Sequence, residues 1–394
     1  MSDSIVVNPI SDAELERRWR LVRAAMRKAD IDALVVQATQ DWLGGYLKWL
    51  TDLPATNGYP TTLIFPREGS MTLIEQGPMG VSRELRNDPI HRGIGRKCYT
   101  SSFSSVHYSA TYDAQITLTE LRSAGFRRVG LVATAQMQYD FCDYLKRSLP
   151  PDMLVAATDL IDDIKAIKSP EEQQLIRATA RLQDTVVRAV ADWVEPGKRD
   201  FEIAAFAQHV AQDLGSEQGI FLGCSARLGE PAAFRPRHEK GRRLERGEHF
   251  SLLVEVSGPG GYYTEIGRIF VLGRAPTFLR EGLESVKLAQ RFLLSLLKPG
   301  ARCPDVFAAF NEYMRANGLP EEQRLNAHGQ GYDMVERPLI RDDETMPIAA
   351  GMSIVVHPGI MTPQMFAVVC DNYLIGAEGP GESLHRTPQE IIEI

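Results

Sequence analysis

Apolar residues in the first part of the chain follow helical spacing in some segments and form short strand-like runs in others. Over residues 15–26 they recur at helical spacing, behind a capping box formed by Ser11 and Glu14, and this pattern predicts an amphipathic helix. Short apolar runs in IDALVVQ, TTLIFP, SMTLIEQ and RVGLVAT predict β-strands, and a second helix is expected over residues 114–124. Strands that alternate with helices indicate an α/β domain, which we expect to end near Asp162.

The boundary to a second domain is marked by the segment SPEEQ from Ser169, which supplies a helix N-cap, a proline in the first turn and a capping-box glutamate. Two later segments both contain a helix end, a Pro-Gly turn and an amphipathic helix: DWVEPGKRDFEIAAFAQHVAQDLG from Asp192 and LLKPGARCPDVFAAFNEYMRANG from Leu296. This internal repeat indicates two related αβ halves. We therefore predict two domains, residues 1–162 and residues 163–394.

A β-hairpin is predicted where the strand FSLLVEV is followed by the turn SGPGG and the strand GYYTEIGRIFVLG. Period-2 alternation places Val254 and Val256 on one face of the first strand and Glu255 on the other. We interpret Glu255 as an ordinary strand residue that is solvated or ion-paired. Glu265 lies among apolar neighbours on the second strand, where a carboxylate needs a partner, and we predict a functional role for it.

Composition and charge exclude several classes of function. The formal net charge is −7, whereas a nucleic-acid-binding protein normally needs a basic surface, so we expect no nucleic-acid partner. The first residues lack a basic segment followed by an apolar one, and no segment approaches the roughly 20 apolar residues that cross a bilayer. We therefore expect a cytoplasmic protein without a membrane partner. The five cysteines show no CxxC pairing, which argues against a disulfide framework.

The second half carries a set of motifs that occur together in one known family. They are IKSPEEQQLIRATARL from Ile167, SLLVEVSGPGGYYTEIGR from Ser251, HGQGYDMVERP with His328, GMSIVVHPG with His357 and VVCDNYLIGAEG with Cys370. Together they resemble the pita-bread family of Xaa-Pro peptidases, methionine aminopeptidases and creatinase. The resemblance implies an α/β N-terminal domain of the creatinase/prolidase type and an α+β pita-bread catalytic domain, in which antiparallel strands curve around a central site. It also implies a homodimer.

The metal ligands of that family are only partly retained. The family binds two divalent metals through two aspartates eleven residues apart, a histidine and two glutamates. Two metals act as a clamp only when carboxylates bridge them, and a valine at the first position cannot bridge. We therefore predict that the chain works without a metal cofactor. At the five ligand positions this chain has Val254, Glu265, His328, His357 and, at the last one, Cys370 or the neighbouring Asp371.

Creatinase is the named member that the chain resembles most, since it works without metal and its GYYTALER segment is similar to GYYTEIGR here. That resemblance implies a histidine base near His238. We predict a metal-independent, creatinase-like hydrolase or lyase that acts on a small organic molecule. His328, His357 and His238 would move protons, because an imidazole can accept or donate a proton at working pH. Glu265 would orient an imidazole or hold a cationic group.

Candidate substrate contacts follow from the same resemblance. Creatine itself is not the expected substrate, because the positions that contact creatine correspond to Gly267, Cys370 and Tyr59. A second family histidine, which helps to bind peptides, corresponds to Val335, and this counts against peptide cleavage. The candidate substrate-binding residues are Glu336, Cys370, Asp371, Tyr59 and Tyr263.

Other interpretations stay open. In one, the chain is an Xaa-Pro dipeptidase-like or aminopeptidase-like metallohydrolase with an altered, mononuclear site, in which Glu265, His328 and His357 hold one zinc or iron ion. In another, His357 fills the vacated metal space and hydrogen-bonds Glu265 without a catalytic role. In a third, the chain is a non-catalytic pita-bread binding protein.

Overall fold

The structure is a computed structural model that describes residues 10–42, 44–234 and 241–394. The chain divides into two compact units, Met1–Lys165 and Ala166–Ile394. Among the described residues, every helix is too short or too polar to cross a membrane. The candidate base His238 lies outside the described residues, so its predicted role stays a prediction.

The first unit contains one mixed β-sheet with helices. Its strands are β1 (Ala33–Ala38), β2 (Thr61–Pro66), β3 (Met71–Gln76), β4 (Ser82–Glu84), β5 (Ile94–Thr100), β6 (Val129–Val132) and β7 (Leu154–Ala156). Its helices are α1 (Asp12–Lys28), α2 (Gly45–Thr51), α3 (Tyr112–Ser123), α4 (Tyr139–Ser148) and α5 (Thr158–Lys165), with a 3-10 turn at His107–Ser109. The strand order is β4-β5-β3-β2-β1-β6-β7, in which β1 pairs antiparallel with β2 and parallel with β6.

Local sequence signals explain where these elements form. Helix α1 begins behind Ser11, whose hydroxyl accepts a hydrogen bond from the Glu14 backbone N–H at 3.1 Å, as the capping pattern predicts. Three of its apolar residues, Leu15, Val22 and Met26, are buried. All six residues of β1 are buried, as expected for a central strand that is covered on both faces.

The second unit contains two four-stranded sheets, a two-stranded ribbon and four helices among its described residues. The helices are α6 (Pro170–Trp193), α7 (Asp200–Asp213), α8 (Thr277–Leu296) and α9 (Cys303–Ala316). The first strands are β8 (Gly219–Arg227), β9 (Glu248–Ser257), β10 (Tyr263–Val271), β11 (Ala327–Gly329) and β12 (Glu336–Leu339). The remaining strands are β13 (Ser353–Val356), β14 (Gly359–Met361), β15 (Phe366–Val368), β16 (Asp371–Leu374) and β17 (Ile392–Glu393).

The two large sheets of the second unit form two similar halves. The first sheet has the order β17-β10-β9-β8, and the second has the order β12-β11-β13-β16. Helices α6 and α7 pack on one face of the first sheet, and α8 and α9 pack on the second. Helix α6 begins with the predicted capping box, in which Ser169 and Glu172 exchange side-chain and backbone hydrogen bonds. The internal repeat in the sequence therefore corresponds to two αβ halves.

Candidate active site

Residues of both large sheets of the second unit, and of β14 and β15, line a cavity of about 340 Å³. This volume is at the lower end of the range for small-molecule sites. Its wall combines apolar side chains with polar and charged ones, three of which, Glu255, Glu265 and His328, lie close together. The polar and charged lining residues are Glu255, Glu265, Glu322, Arg324, His328, His357 and Cys370. The apolar lining residues include Leu222, Phe234, Leu253, Val335, Phe366 and Val368.

The hairpin of β9 and β10 presents two carboxyl groups to this cavity. Glu255 pairs directly with Glu265 across the two strands, so both side chains lie on the same face. Val254 lies on the opposite face, where it is completely buried against α6 and α7. The assignment of Val254 to the first ligand position is therefore wrong, and so is the interpretation of Glu255 as an ordinary strand residue.

The error came from the spacing rather than from the alternation of the strand. Glu255 and Glu265 are separated by one residue fewer than the eleven of the family pattern. The turn between the strands is correspondingly tight, with Gly260 and Gly261 at φ values of +90° and +86°, which favour glycine. Strand register, rather than a fixed count along the chain, identifies the carboxyl group that faces Glu265.

A chain of side-chain amides holds the two carboxyl groups in place. The Gln330 Nε2 atom donates to Glu255 Oε1 at 2.8 Å, and the Asn372 Nδ2 atom donates to Gln330 Oε1 at 2.7 Å. Asn372 Oδ1 in turn accepts from the backbone N–H of Glu265 at 2.7 Å. Sequence reasoning did not identify Gln330 or Asn372, although Gln330 lies within the HGQGYD motif. These buried amides tie the hairpin that carries the acids to Gln330 and to Asn372 of β16.

Both carboxyl groups are in surroundings that disfavour their charge. Burial raises the pKa of Glu255 well above its usual range, and the neighbouring charge of Glu265 raises it further. Burial also raises the pKa of Glu265, although a positive charge on His328 would oppose this effect. Among the described residues, no lysine or arginine forms an ion pair with either group. A buried acidic pair of this kind favours a bound proton or a cation.

Two histidines complete the polar end of the cavity. The His328 Nδ1 atom donates to the Gly329 carbonyl at 2.9 Å, which leaves Nε2 with a free lone pair. Burial, with a contribution from His357, lowers the pKa of His328 to about 4, and burial lowers the pKa of His357 to about 4. The two ring centroids are 5.2 Å apart. Both imidazoles are therefore neutral near pH 7.

Cys370 lies beside the carboxyl pair, at a point where two strands approach closely. Gly267 and Cys370 form a bridge between the two sheets, and a Cβ atom at Gly267 would lie only 2.8 Å from Cys370 Sγ. Burial and the charge of Glu265 raise the pKa of the thiol well above its usual range. The thiol is thus protonated unless a cation lies next to it.

One metal ion can be held by these residues. Single donor atoms of Glu255, Glu265 and His328 all lie within 4.8 Å of one another, and all three residues are buried. The orientation of His328 by the Gly329 carbonyl is typical of a metal-binding imidazole. The set lacks the further carboxylates that would bridge two ions, because those positions hold His357 and Cys370. The site therefore fits one ion and not a pair.

Two of the predicted substrate contacts lie in ion pairs outside the cavity. Glu336 Oε2 accepts from Lys168 Nζ at 2.8 Å, and both side chains are almost fully buried. Asp371 Oδ1 accepts from Arg268 Nη2 at 2.7 Å, and Asp371 Oδ2 accepts from Gln389 Nε2 at 2.7 Å. Neither acid is among the residues that line the cavity. Their oxygens bind other parts of the protein instead.

The other predicted contacts have separate locations. The backbone N–H of Tyr263 donates to the Gly331 carbonyl at 2.7 Å, and its buried side chain is not among the lining residues. Tyr59 belongs to the first unit, where it is 38% exposed and makes an edge contact with Phe103. The structure thus brings together Glu265, His328, His357 and Cys370 of the predicted set and adds Glu255.

Comparison with known proteins gives one family. The sequence model of metallopeptidase family M24 matches residues 174–377, just over half of the chain. The Xaa-Pro dipeptidase of Pyrococcus furiosus is 26% identical over 236 residues, which are 59% of this chain and 67% of that protein. An uncharacterized hydrolase/peptidase of Sinorhizobium fredii is 25% identical over 390 residues, which are 97% of each chain.

Solved structures show the same fold. X-Pro aminopeptidase from Thermotoga maritima has a TM-score of 0.79 at 15% identity, with 96% of this chain and 99% of that chain covered. The prolidase from Thermococcus sibiricus also has a TM-score of 0.79, at 20% identity, with 98% of this chain and 100% of that chain covered. The predicted combination of an α/β N-terminal domain with an α+β pita-bread domain is confirmed.

The same comparisons correct the functional prediction. The matched family is one of metallopeptidases and the similar proteins are named as Xaa-Pro dipeptidases, so the predicted metal-independent, creatinase-like hydrolase or lyase is wrong. The expectation that no metal cofactor is needed is wrong for the same reason, and the buried group of Glu255, Glu265 and His328 offers ligands for a metal. The prediction that the chain is an enzyme is confirmed, with hydrolase as its class. The chain belongs to metallopeptidase family M24.

Proposed function

We propose that this enzyme is an Xaa-Pro dipeptidase-like metallohydrolase, which cleaves an amide bond in a small peptide-like substrate with one metal ion instead of two. The observation that carries the proposal is the convergence of Glu255, Glu265 and His328 within 4.8 Å at the polar end of the cavity. The names of the similar proteins supply the reaction class.

Charge balance supports a cation at this position. Two buried carboxyl groups that face each other repel when both are ionised, and a divalent ion between them removes that repulsion. Two carboxylates with one imidazole suit zinc or iron(II), which accept mixed oxygen and nitrogen ligands. When bound, such an ion polarises the amide carbonyl and lowers the pKa of a bound water molecule.

The residues around the ligands position them and handle protons. The Gln330 amide fixes Glu255, and the Gly329 carbonyl fixes the tautomer of His328. His357 lines the same cavity as a neutral imidazole, in a place where it can accept a proton from water and pass it to the leaving nitrogen. The Cys370 thiol beside Glu265 offers a sulfur atom as a further metal ligand.

Size and wall character limit the substrate. A cavity of about 340 Å³ accommodates a molecule of roughly dipeptide size. Leu222, Val335 and Phe366 provide apolar surface for an aliphatic or cyclic side chain. A long peptide would extend beyond the cavity, so we expect short substrates.

The test is metal content together with turnover. Protein purified without an affinity tag should contain about one zinc or iron per chain by elemental mass spectrometry. It should hydrolyse one or more short amides from a panel of Xaa-Pro dipeptides, and chelation should remove metal and activity together. Glu265→Gln and His328→Asn should lose both, whereas His209→Asn, at an exposed histidine of α7, should lose neither.

The opposite result is equally clear. Metal content below roughly a tenth of an ion per chain, with turnover that resists chelation, would contradict the metal centre. Metal that binds normally to the Glu265→Gln protein would contradict the assignment of the ligands.

We further infer that the protein is a cytoplasmic homodimer, as its resemblance to the family implies. Sedimentation velocity with a mass near twice 43.9 kDa would support the dimer, and a mass of one chain would contradict it.

A further inference from the structure

One buried amide of the second sheet has polar atoms that no other group satisfies. Asn326 directly precedes β11 and is completely buried. Among the described residues, neither its Oδ1 atom nor its Nδ2 atom has a hydrogen-bond partner. Buried polar groups without a partner are rare, because an unpaired amide costs free energy in an apolar environment. An apolar side chain of similar size at this position would therefore be expected to stabilise the fold.

The strand register places this amide on the face of the sheet that carries the site. His328 and Gln330 are the next alternate residues along the chain; His328 belongs to the buried group with the two acids, and Gln330 donates to one of them. Ala327 lies on the opposite face, in the core against α8 and α9. Since alternate residues of a strand share a face, the Asn326 side chain points to the same side as His328.

His357 is the cross-strand neighbour of Asn326 on this face. The pairing of Ala327 with Val356 continues by one residue, and the backbone N–H of His357 donates to the Asn326 carbonyl at 3.0 Å. Directly opposed residues have Cβ atoms about 5 Å apart, which an amide and an imidazole can span. His357 lines the cavity, whereas Asn326 does not. The amide can therefore act on a substrate only through His357.

The His357 imidazole needs a fixed tautomer in order to move a proton. Burial lowers its pKa to about 4, so the ring is neutral near pH 7, with one bare nitrogen and one N–H. Among the described residues, no side chain forms a hydrogen bond with either ring nitrogen. An oxygen that accepts from the N–H decides which nitrogen stays bare, as the Gly329 carbonyl does for His328.

We propose that Asn326 is a positioning residue for His357, whose amide oxygen accepts a hydrogen bond from the imidazole and so leaves the other ring nitrogen bare for proton transfer. The structure shows no direct hydrogen bond between the two side chains, as is common at such sites before substrate binds. The inference rests on the proposed function only for the use that His357 makes of its bare nitrogen. It also explains why a buried amide occupies a position where an apolar residue would stabilise the fold.

The tautomer can be measured without turnover. Nitrogen NMR spectra of isotopically labelled imidazole side chains, with His357→Gln to assign the signals, show which ring nitrogen carries the proton. The wild type should show one tautomer of His357, both in chelator-treated protein and in protein loaded with zinc. Asn326→Leu keeps the approximate volume and removes the amide, so it should give a mixture of tautomers or the opposite one. Asn326→Ala serves as the second variant if leucine prevents folding.

Urea unfolding separates this role from a purely structural one. Removal of an amide without a partner should leave the unfolding midpoint of Asn326→Leu unchanged or raise it. Gln183→Leu is the matched control, because it removes a fully buried amide that bonds to the carbonyl and the hydroxyl of Thr264, at 2.5 Å and 2.8 Å. This control should lower the midpoint and keep the wild-type tautomer of His357. A tautomer that is the same in wild type and Asn326→Leu overturns the inference, and so does an equal change in Gln183→Leu.

Kinetics distinguish this inference from the proposed function. If short amides are hydrolysed, Asn326→Leu should lower kcat about tenfold to hundredfold and leave KM and metal content unchanged, because the amide neither lines the cavity nor belongs to the metal-binding group. A KM that rises while kcat stays the same would contradict the positioning role. If no amide is hydrolysed but the His357 tautomer still depends on Asn326, the reaction class fails and the positioning role stands.

Discussion

Replacing Glu255 by glutamine should separate two effects of the carboxyl pair, which destabilises the metal-free fold and binds the metal. Glutamine keeps the shape of the side chain and the oxygen that accepts from Gln330. It removes one of the two charges that face each other across β9 and β10. We therefore expect Glu255→Gln to be more stable than the wild type without metal and to bind metal far more weakly.

The sign and size follow from the pKa shifts of the pair. The pKa values of Glu255 and Glu265 are raised in the folded state, so the folded protein retains protons that the unfolded chain releases. Each retained proton lowers the free energy of unfolding by about 1.4 kcal/mol for every pH unit of rise. The contribution of the bound protons to the free energy of unfolding is fully present below the ordinary glutamate pKa. It is lost as the pH rises through the raised pKa values that the two groups have in the folded state. For each pH unit of rise, the free energy of unfolding of Glu255→Gln should fall by up to about 1.4 kcal/mol less than that of the wild type.

Urea unfolding of chelator-treated protein between about pH 5 and pH 8 would measure the difference. Glu312→Gln, at an exposed position of α9, is the matched control and should follow the wild type. Zinc at about one hundred times its dissociation constant should stabilise the wild type by about 2.7 kcal/mol and the variant much less. Parallel pH curves for wild type and Glu255→Gln would refute the reasoning, and so would equal stabilisation by zinc.

Two further substitutions test other parts of the structure. Lys168→Met leaves Glu336 without its buried partner and should lower the free energy of unfolding by about 3–5 kcal/mol in urea titration, much of which Glu336→Gln should restore. Lys287→Met, in a more exposed pair, should cost less than about 1 kcal/mol, and equal losses would contradict the buried pair. Val254→Asp should cost more than about 4 kcal/mol, because it places a carboxylate against α6 and α7. A folded Val254→Asp protein with an added metal ion by mass spectrometry would show that Val254 faces the site.

Most of the fold can be predicted from the sequence, because its signals are local. The N-cap at Ser11 and the capping box at Ser169 mark the starts of α1 and α6. The glycine-rich turn SGPGG and the alternation on both sides of it predict the hairpin of β9 and β10. Each signal depends on a few neighbouring residues, so it survives without knowledge of the tertiary structure.

The site was predicted only in part, because it depends on register and on which face each residue occupies. The family spacing of eleven residues points to Val254 and not to Glu255, because the turn of this hairpin is one residue shorter. Asp371 follows Cys370 directly in the sequence, but adjacent strand residues point to opposite faces, and Asp371 binds Arg268 instead of facing the cavity. The Gln330 amide has no distinctive spacing from Glu255, since the two are brought together only by tertiary folding.

The ligand positions also indicate how the chemistry of this family member differs. Glu255 and Glu265 keep carboxylates on the hairpin, which preserves the affinity of the site for a cation. His357 and Cys370 replace oxygen donors on the second half of the unit with an imidazole and a thiol. These softer donors favour zinc over manganese or magnesium, and a neutral imidazole cannot balance a second divalent charge as a carboxylate does. In the proposed one-metal site, the histidine at position 357 would stand in place of a bridging carboxylate and would therefore be available for proton transfer, which a carboxylate bound to two metals could not provide.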